Sequence, residues 1–303
     1  MRLALLLLTA ALWAQDLHEV EIASSLDGEV GKAMWWHPGK SEPVPLLVAL
    51  HSWSADYKQK DSHEYAKRCA LRGWAMIFPD FRGPNVRPIA AGSDAAVQDV
   101  VDAVAWAKKQ TRIDARRVFL VGGSGGGYMS LLMAARHPKV WTAVSSWVPI
   151  ADLAAWHGES KERKQRYAPN LEAVFGGPPD AVRLAEYRRR SPLTTLARAR
   201  GRAIDINAGI HDGHTGSVPV SHSLRAFNVL APGKAIAEAD IAHITSSEKL
   251  PEGWPRATPD ATYPKPVLFR RESGKARVTL FEGGHEILFD PMFAWLDRFA
   301  RSK

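Results

Sequence analysis

Along the chain, short wholly apolar runs alternate with segments whose apolar positions recur at helical spacing. Leu17 to Ala23 and Glu29 to Trp36 alternate apolar and polar residues on either side of Leu26-Asp27-Gly28, which predicts an antiparallel pair closed by a turn. From Pro45 the pattern changes. Pro45 to Leu50, Trp74 to Phe78, Arg117 to Val121 and Trp141 to Val148 lack polar alternation and read as strands buried on both faces. Between them His63 to Leu71, Ser93 to Lys108 and Tyr128 to Ala135 read as helices, with Val97, Val100, Val101 and Val104 forming one apolar stripe. Such alternation predicts an α/β fold, a doubly wound and mostly parallel sheet covered by helices.

From Ala151 to Arg202 the alternation breaks into a charged, partly helical stretch with turn signals at Phe175-Gly176-Gly177-Pro178-Pro179 and Ser191-Pro192. This stretch is expected as a helical cap inserted above the sheet. Ala203 to Ile210 and Val220 to Val229 restore strand and helix, and residues 231–265 are expected as a second, irregular insertion. Pro266 to Arg271 and Lys275 to Phe281 read as a hairpin or two late strands. The last helix is expected to open on Asp290-Pro291 as cap and first-turn proline. The expected organisation is one catalytic domain over residues 15–303, with no internal repeat.

Composition narrows the picture. The 303 residues are 46% hydrophobic, enough for a full core and against disorder. Met1-Arg2 followed by an apolar run up to Ala14 fits a signal peptide over residues 1–14, too short to span a bilayer. The mature protein is therefore expected in the periplasm or outside the cell, without stable membrane insertion. Cys69 is the only cysteine, so no internal disulfide forms, and it reads as a small core residue. The net charge of +8 invites a nucleic-acid reading. Basic residues crowd into Lys161 to Arg166, Arg188 to Arg190, Arg198 to Arg202 and Arg270-Arg271, without an interleaved aromatic ladder, so nucleic acid is not the expected partner. These clusters read as solvated surface or as attraction of an anionic substrate or envelope polymer.

The candidate chemistry centres on Gly122-Gly123-Ser124-Gly125-Gly126, where an apolar strand turns into a helix. This meets G-x-S-x-G, the sharp turn that lifts a nucleophilic serine clear of a sheet. A linker would have polar flanks, and a phosphate-binding loop would need G-K-[ST], which Gly127-Tyr128-Met129 does not supply. A serine hydroxyl needs a base, and the base a carboxylate. Among eleven histidines, His285 stands after the last strand and before the final helix; His137, ending the helix after Ser124, reads as a helix-dipole partner. The acid is expected at Asp212, after the strand from Ala203, rather than at Asp205 within it or Asp240 in the insertion. His211-Asp212-Gly213-His214 with His222 contains ligand-type residues, but spacing shows no convergence, and neither metal nor cofactor is expected. The oxyanion donors are expected to be the Gly125 N–H and that of Ser52 or Trp53, with Trp53 walling the site or simply packing in the core.

Several segments carry a resemblance. His51-Ser52-Trp53-Ser54-Ala55-Asp56, FPDFRGPN from Phe78, GGSGGGYMSLLMAARHP, GIHDGHTGSVPVSHS and EGGHEILF together resemble the catalytic domain of the prolyl oligopeptidase family within the α/β-hydrolase superfamily. The resemblance runs from about Pro43 to the C-terminus and implies a triad of Ser124, Asp212 and His285. The family's oxyanion loop often reads H-G-G-P, where this chain has Ser52-Trp53-Ser54, and the acid loop holds extra residues before Val218-Pro219. Nothing before Pro43 resembles the N-terminal β-propeller that helps the family's large peptidases hold peptides. The expected function is accordingly an exported serine hydrolase of carboxylester or carbohydrate-ester type, acting on a small-molecule or sugar-ester substrate. A prolyl oligopeptidase-like peptidase acting on short peptides is the first alternative, and an inactive binding protein on a hydrolase fold the second.

Overall fold

The structure, a computed structural model, describes residues 17–301. The expected signal peptide lies outside the described residues. No described helix is long and apolar enough to cross a membrane. An antiparallel pair opens the fold, β1 (His18–Ala23) and β2 (Val30–Trp36), followed by β3 (Val44–Leu50), α1 (Asp61–Arg72), β4 (Ala75–Pro79) and α2 (Asp94–Gln110). Then come β5 (Ile113–Gly123), α3 (Gly125–Arg136) and β6 (Ala143–Trp147). Strands β3, β4 and β6 are buried along their whole length, β3 and β4 as apolar runs and β6 with Ser145 and Ser146 satisfied by Asp205 and the Gly127 carbonyl. Ser93 caps α2 by accepting the Ala96 N–H, and Cys69 is buried on α1.

The nine strands form one sheet in the order β1-β2-β4-β3-β5-β6-β7-β9-β8. Pairings from β4 through β3, β5, β6 and β7 (Ala203–Gly209) to β9 (Ala276–Phe281) are parallel. β8 (Val267–Ser273) closes the far edge antiparallel to β9. The chain leaves β3 for β4 on one side and then places β5 on the other. This reversal opens a crevice at the carboxyl ends of β3 and β5, where ligands collect in such sheets.

Between β6 and β7 the cap folds as α4 (Leu153–Glu162), α5 (Tyr167–Phe175), α6 (Leu184–Arg190), α7 (Pro192–Thr195) and a 3₁₀ turn. After β7 come α8 (Ser221–Leu230) and α9 (Glu238–Ser247), so the second insertion is not wholly irregular. Ile241 and Ile244 of α9 are buried, giving its polar sequence an apolar anchor. The final helix, α10 (Phe289–Ala300), begins earlier than expected, with Leu288 at the cap position. Asp290 instead lies in the first turn and bonds Arg68 of α1. His137 ends α3, but burial first and Arg136 second hold its pKa below the ordinary histidine value, which disfavours a charged dipole partner.

Two arginines of the cap's Arg188–Arg190 cluster are held by the fold. Arg189 pairs with Glu186 at 2.6 Å and with Asp94 at 2.9 Å. Arg190 is buried, donates to Glu186 and to the carbonyls of Pro88 and Ala90, and lies over the Phe175 ring. Arg189 and then Arg190 hold the Glu186 carboxyl down to about 2. Arg189 and Arg190 are thus held by Glu186 and by Asp94 of α2 rather than left free to attract an anionic polymer, and of this cluster only Arg188 stays exposed without an ion pair among the described residues. Arg190→Gln should lower stability by about 2–3 kcal/mol, because two buried carbonyls lose a charged donor. Arg188→Gln, at an exposed site, should change it by no more than about 0.5 kcal/mol. Urea unfolding of the two variants side by side measures the difference.

Candidate active site

Ser124 stands between β5 and α3 with φ 57° and ψ −117°, a conformation that non-glycine residues rarely adopt. Its N–H donates to Trp147 O at 2.9 Å and its carbonyl accepts from Tyr128 N–H at 2.8 Å, so backbone bonds on both sides hold the turn. The glycines make the turn possible by close approach. A Cβ on Gly122 would stand 2.3 Å from the Gly126 backbone, and one on Gly125 2.3 Å from Trp53 N. The second contact means that the loop after β3 lies directly against the N-terminus of α3.

That loop determines the available donors. Ser52 N–H is engaged, donating to Gln59 Oε1 at 2.8 Å, so Ser52 is withdrawn as an oxyanion donor. The N–H groups of Trp53 and Gly125 have no acceptor among the described residues, and the two stretches of backbone lie against each other next to Ser124. The Trp53 ring is buried against Trp156 and Tyr128, with centroids at 4.9 and 5.9 Å, and also lines the cavity. Both readings of Trp53 hold together. Behind it, the His51 ring stacks on Phe81 at 3.8 Å, and burial holds its pKa below the ordinary value.

Asp212 and His285 come together from the loops after β7 and β9. His285 Nδ1 lies 2.8 Å from Asp212 Oδ2, and Asp212 is 2% exposed. Asp212 Oδ1 accepts Val218 N–H at 3.2 Å. A carboxylate at Nδ1 fixes the proton there and leaves Nε2 free to act as a base. The two loops are joined by His211 N–H donating to Gly283 O at 3.0 Å. His285 Nε2 has one contact that sequence did not point to, Ser217 Oγ at 3.4 Å. Ser217 sits in the same loop as Asp212, and nothing in its sequence context marks it apart from that position.

The rejected acid is explained as clearly. Asp205 lies inside β7, opposite Ser145 and Arg277, and bonds Arg277 Nε at 2.7 Å, Ser145 Oγ and Asn207 Nδ2. It neutralises a nearly buried arginine rather than facing the crevice. Among the described residues no group of three His, Cys, Asp or Glu side chains could hold a metal. His222 instead accepts Ala151 N–H at Nδ1 and meets Glu159 at Nε2, 2.9 Å, which fastens the root of the cap.

His211 lies between Glu282 at 2.5 Å and Glu248 at 2.7 Å. Hydrogen bonds that the protonated ring donates to Glu282 first and Glu248 next raise its pKa. A raised folded-state value means that this stabilisation is complete below the unfolded histidine pKa and is lost as pH rises through the folded one. The melting-temperature gap between wild type and His211→Asn should therefore be widest in mild acid and shrink toward pH 8–9, as thermal unfolding across pH will read (~pH 5 to 9).

Ser124, His285, Gly123, Trp53, Gln59 and Asp61 line a cavity of about 350 Å³, to whose wall the cap contributes Arg166 and Tyr167. A site of this size takes a small or short substrate. A serine hydroxyl that shares its cavity with an imidazole backed by a buried carboxylate, together with two backbone donors that have no acceptor among the described residues, has the parts for acyl transfer.

A family model of the Prolyl oligopeptidase family matches residues 89–247, just over half of the chain, including Ser124 and Asp212. Acylamino-acid-releasing enzyme of Rattus norvegicus is 34% identical over 135 residues, covering 41% of this chain and 18% of that protein. Dipeptidyl aminopeptidase BIII of Pseudoxanthomonas mexicana is 27% identical over 187 residues, covering 57% and 26%. The chain thus spans about a quarter or less of the length of these curated relatives. Among solved structures, the acylaminoacyl peptidase of Pyrococcus horikoshii has a TM-score of 0.61 at 15% identity, covering 96% of this chain and 42% of that one. Puromycin hydrolase has a TM-score of 0.58 at 19% identity, covering 73% and 34%. These likenesses establish the α/β-hydrolase fold. By the family match the chain belongs to the prolyl oligopeptidase family.

Proposed function

We propose that the protein is a serine peptidase cleaving amide bonds of short peptides or aminoacyl compounds through a Ser124-His285-Asp212 triad. Ser124 Oγ attacks the carbonyl carbon as His285 Nε2 takes its proton. Gly125 and Trp53 N–H receive the oxyanion. The tetrahedral adduct collapses as His285 returns the proton to the leaving nitrogen, and water, activated by the same histidine, hydrolyses the acyl-enzyme. The observation that carries the reading is the 2.8 Å pair of His285 with buried Asp212, opening on the cavity that contains Ser124.

This departs from the ester bond expected from sequence. A leaving amine must be protonated as it departs, and a buried carboxylate behind the imidazole favours the imidazolium that does so. Relatives named for acylamino-acid release and dipeptidyl aminopeptidase activity also speak for a peptide-type bond rather than a sugar ester. Export remains a proposal resting on residues 1–14 alone. The test is kcat/KM for an aminoacyl anilide and the ester of the same acyl group, with Ser124→Ala as control. The reading expects Ser124-dependent cleavage of both; cleavage of the ester with the anilide at background would return the esterase reading.

A further inference from the structure

Asp61 takes no part in the proposed acyl transfer, yet it lines the same cavity as Ser124 and His285. Its placement is specific. Ser52 N–H donates to Gln59 Oε1, and Gln59 Nε2 donates to Asp61 Oδ2 at 2.6 Å. One amide side chain thus ties the carboxylate to the backbone just before Trp53. Asp61 also occupies the first turn of α1, where the helix dipole favours negative charge.

No ion pair among the described residues neutralises that charge. The hydrogen-bond partner of Asp61 is the neutral Gln59 amide, and among the described residues it forms no ion pair. The other charged groups on the wall differ. Glu286 is paired with Lys265 at 2.6 Å and accepts Gly284 N–H. Arg166 stands exposed on the cap with its guanidinium over the Tyr167 ring, 5.6 Å from its centroid, and in reach of solvent. A fixed, unneutralised carboxylate in a partly enclosed catalytic cavity favours substrates that bring a positive charge to it.

We infer that Asp61 is a specificity-determining residue that receives a protonated amine of the substrate, either the α-ammonium of a free N-terminus or a side-chain ammonium. The inference rests on the peptide reading above, because it is peptides and aminoacyl compounds that present such a group beside the scissile bond. A carboxylate oriented by Gln59 accepts a hydrogen bond from the ammonium, and acetylation of that amine removes both the charge and the match. The site therefore discriminates between free and acylated amines.

Occupancy of the cavity can be read without turnover, by protection of Ser124 against a fluorophosphonate. Three competitors are compared: leucinamide, N-acetyl-leucinamide and N-acetyl-lysinamide. At least one of the two amine-bearing compounds is expected to protect at about tenfold lower concentration than N-acetyl-leucinamide, the size of one charged hydrogen bond. Preference for leucinamide assigns the α-ammonium, and preference for N-acetyl-lysinamide the side chain. In Asp61→Asn the ratio should fall to near one, and in Asp61→Glu it should persist in part. Equal protection by all three in wild type, a comparison independent of any variant's folding, overturns the inference, as does a preference that survives in Asp61→Asn. Failure of the peptide reading would show separately, as absent anilide cleavage in the same samples with the protection ratios still measured.

Discussion

Ser124→Ala lowers kcat by about a millionfold, since the substitution removes the only nucleophile and with it the proton that His285 would accept. The fold should be nearly indifferent. Both hydrogen bonds that hold residue 124, to Trp147 O and from Tyr128 N–H, belong to the backbone, and alanine meets the same steric limits as serine at φ 57°. Stability is therefore expected to change by no more than about 0.5 kcal/mol. A residual rate above the uncatalysed one should remain, from the Gly125 and Trp53 donors and from substrate positioning. Single-turnover kinetics beside thermal unfolding separates these effects; an alanine variant that still turns over within tenfold of wild type would remove Ser124 from the mechanism.

The second large effect belongs to Asp212→Asn, expected to cost about 10⁴-fold in kcat with the fold intact. Asparagine fits the space, but its amide can present N–H to His285 Nδ1, which moves the ring proton to Nε2 and leaves no lone pair facing Ser124. It also no longer stabilises the imidazolium. Asp205→Asn makes the informative contrast. Asp205 is fully buried beside Arg277, so its loss leaves a nearly buried guanidinium without a counter-charge, costing about 3 kcal/mol of stability. Its activity should follow the folded fraction. Activity and unfolding measured together distinguish a variant that is folded and inactive from one that is active but less stable.

The residues that meet at the candidate site are legible because they are written in local sequence. Ser124 announces itself through flanking glycines that the strand-to-helix turn requires, and Asp212 could be chosen over Asp205 because one follows a strand end and the other lies inside it. His285 follows from the same reasoning at the end of β9. What escaped were contacts between distant parts of the chain. Arg189 reads as free charge because its partner Asp94 is 95 positions away; its other partner, Glu186, is by contrast legible, standing three and four positions before Arg189 and Arg190 on one helix. Ser52 looked available as a donor because the Gln59 amide that takes its N–H comes from the next turn of the loop. Ser217 reaches His285 only through the folding back of the acid loop. The start of α10 was misplaced because Asp290-Pro291 satisfies a local capping pattern that Phe289 pre-empts, its ring packing edge-on against Tyr65 at 5.1 Å. The helix in the second insertion is short and polar, and only its two buried isoleucines, set by packing against the domain, distinguish it from a loop.

The central claim is that this cavity performs acyl transfer through a covalent bond to Ser124 assisted by His285. The most direct measurement is intact-mass and peptide mapping of the folded protein after brief exposure to a fluorophosphonate, for wild type, Ser124→Ala and His285→Ala. A single phosphonyl adduct on Ser124 in wild type, absent from Ser124→Ala and formed far more slowly in His285→Ala, is the predicted result. Labelling on another residue, or labelling of Ser124 at the same rate without His285, would contradict it.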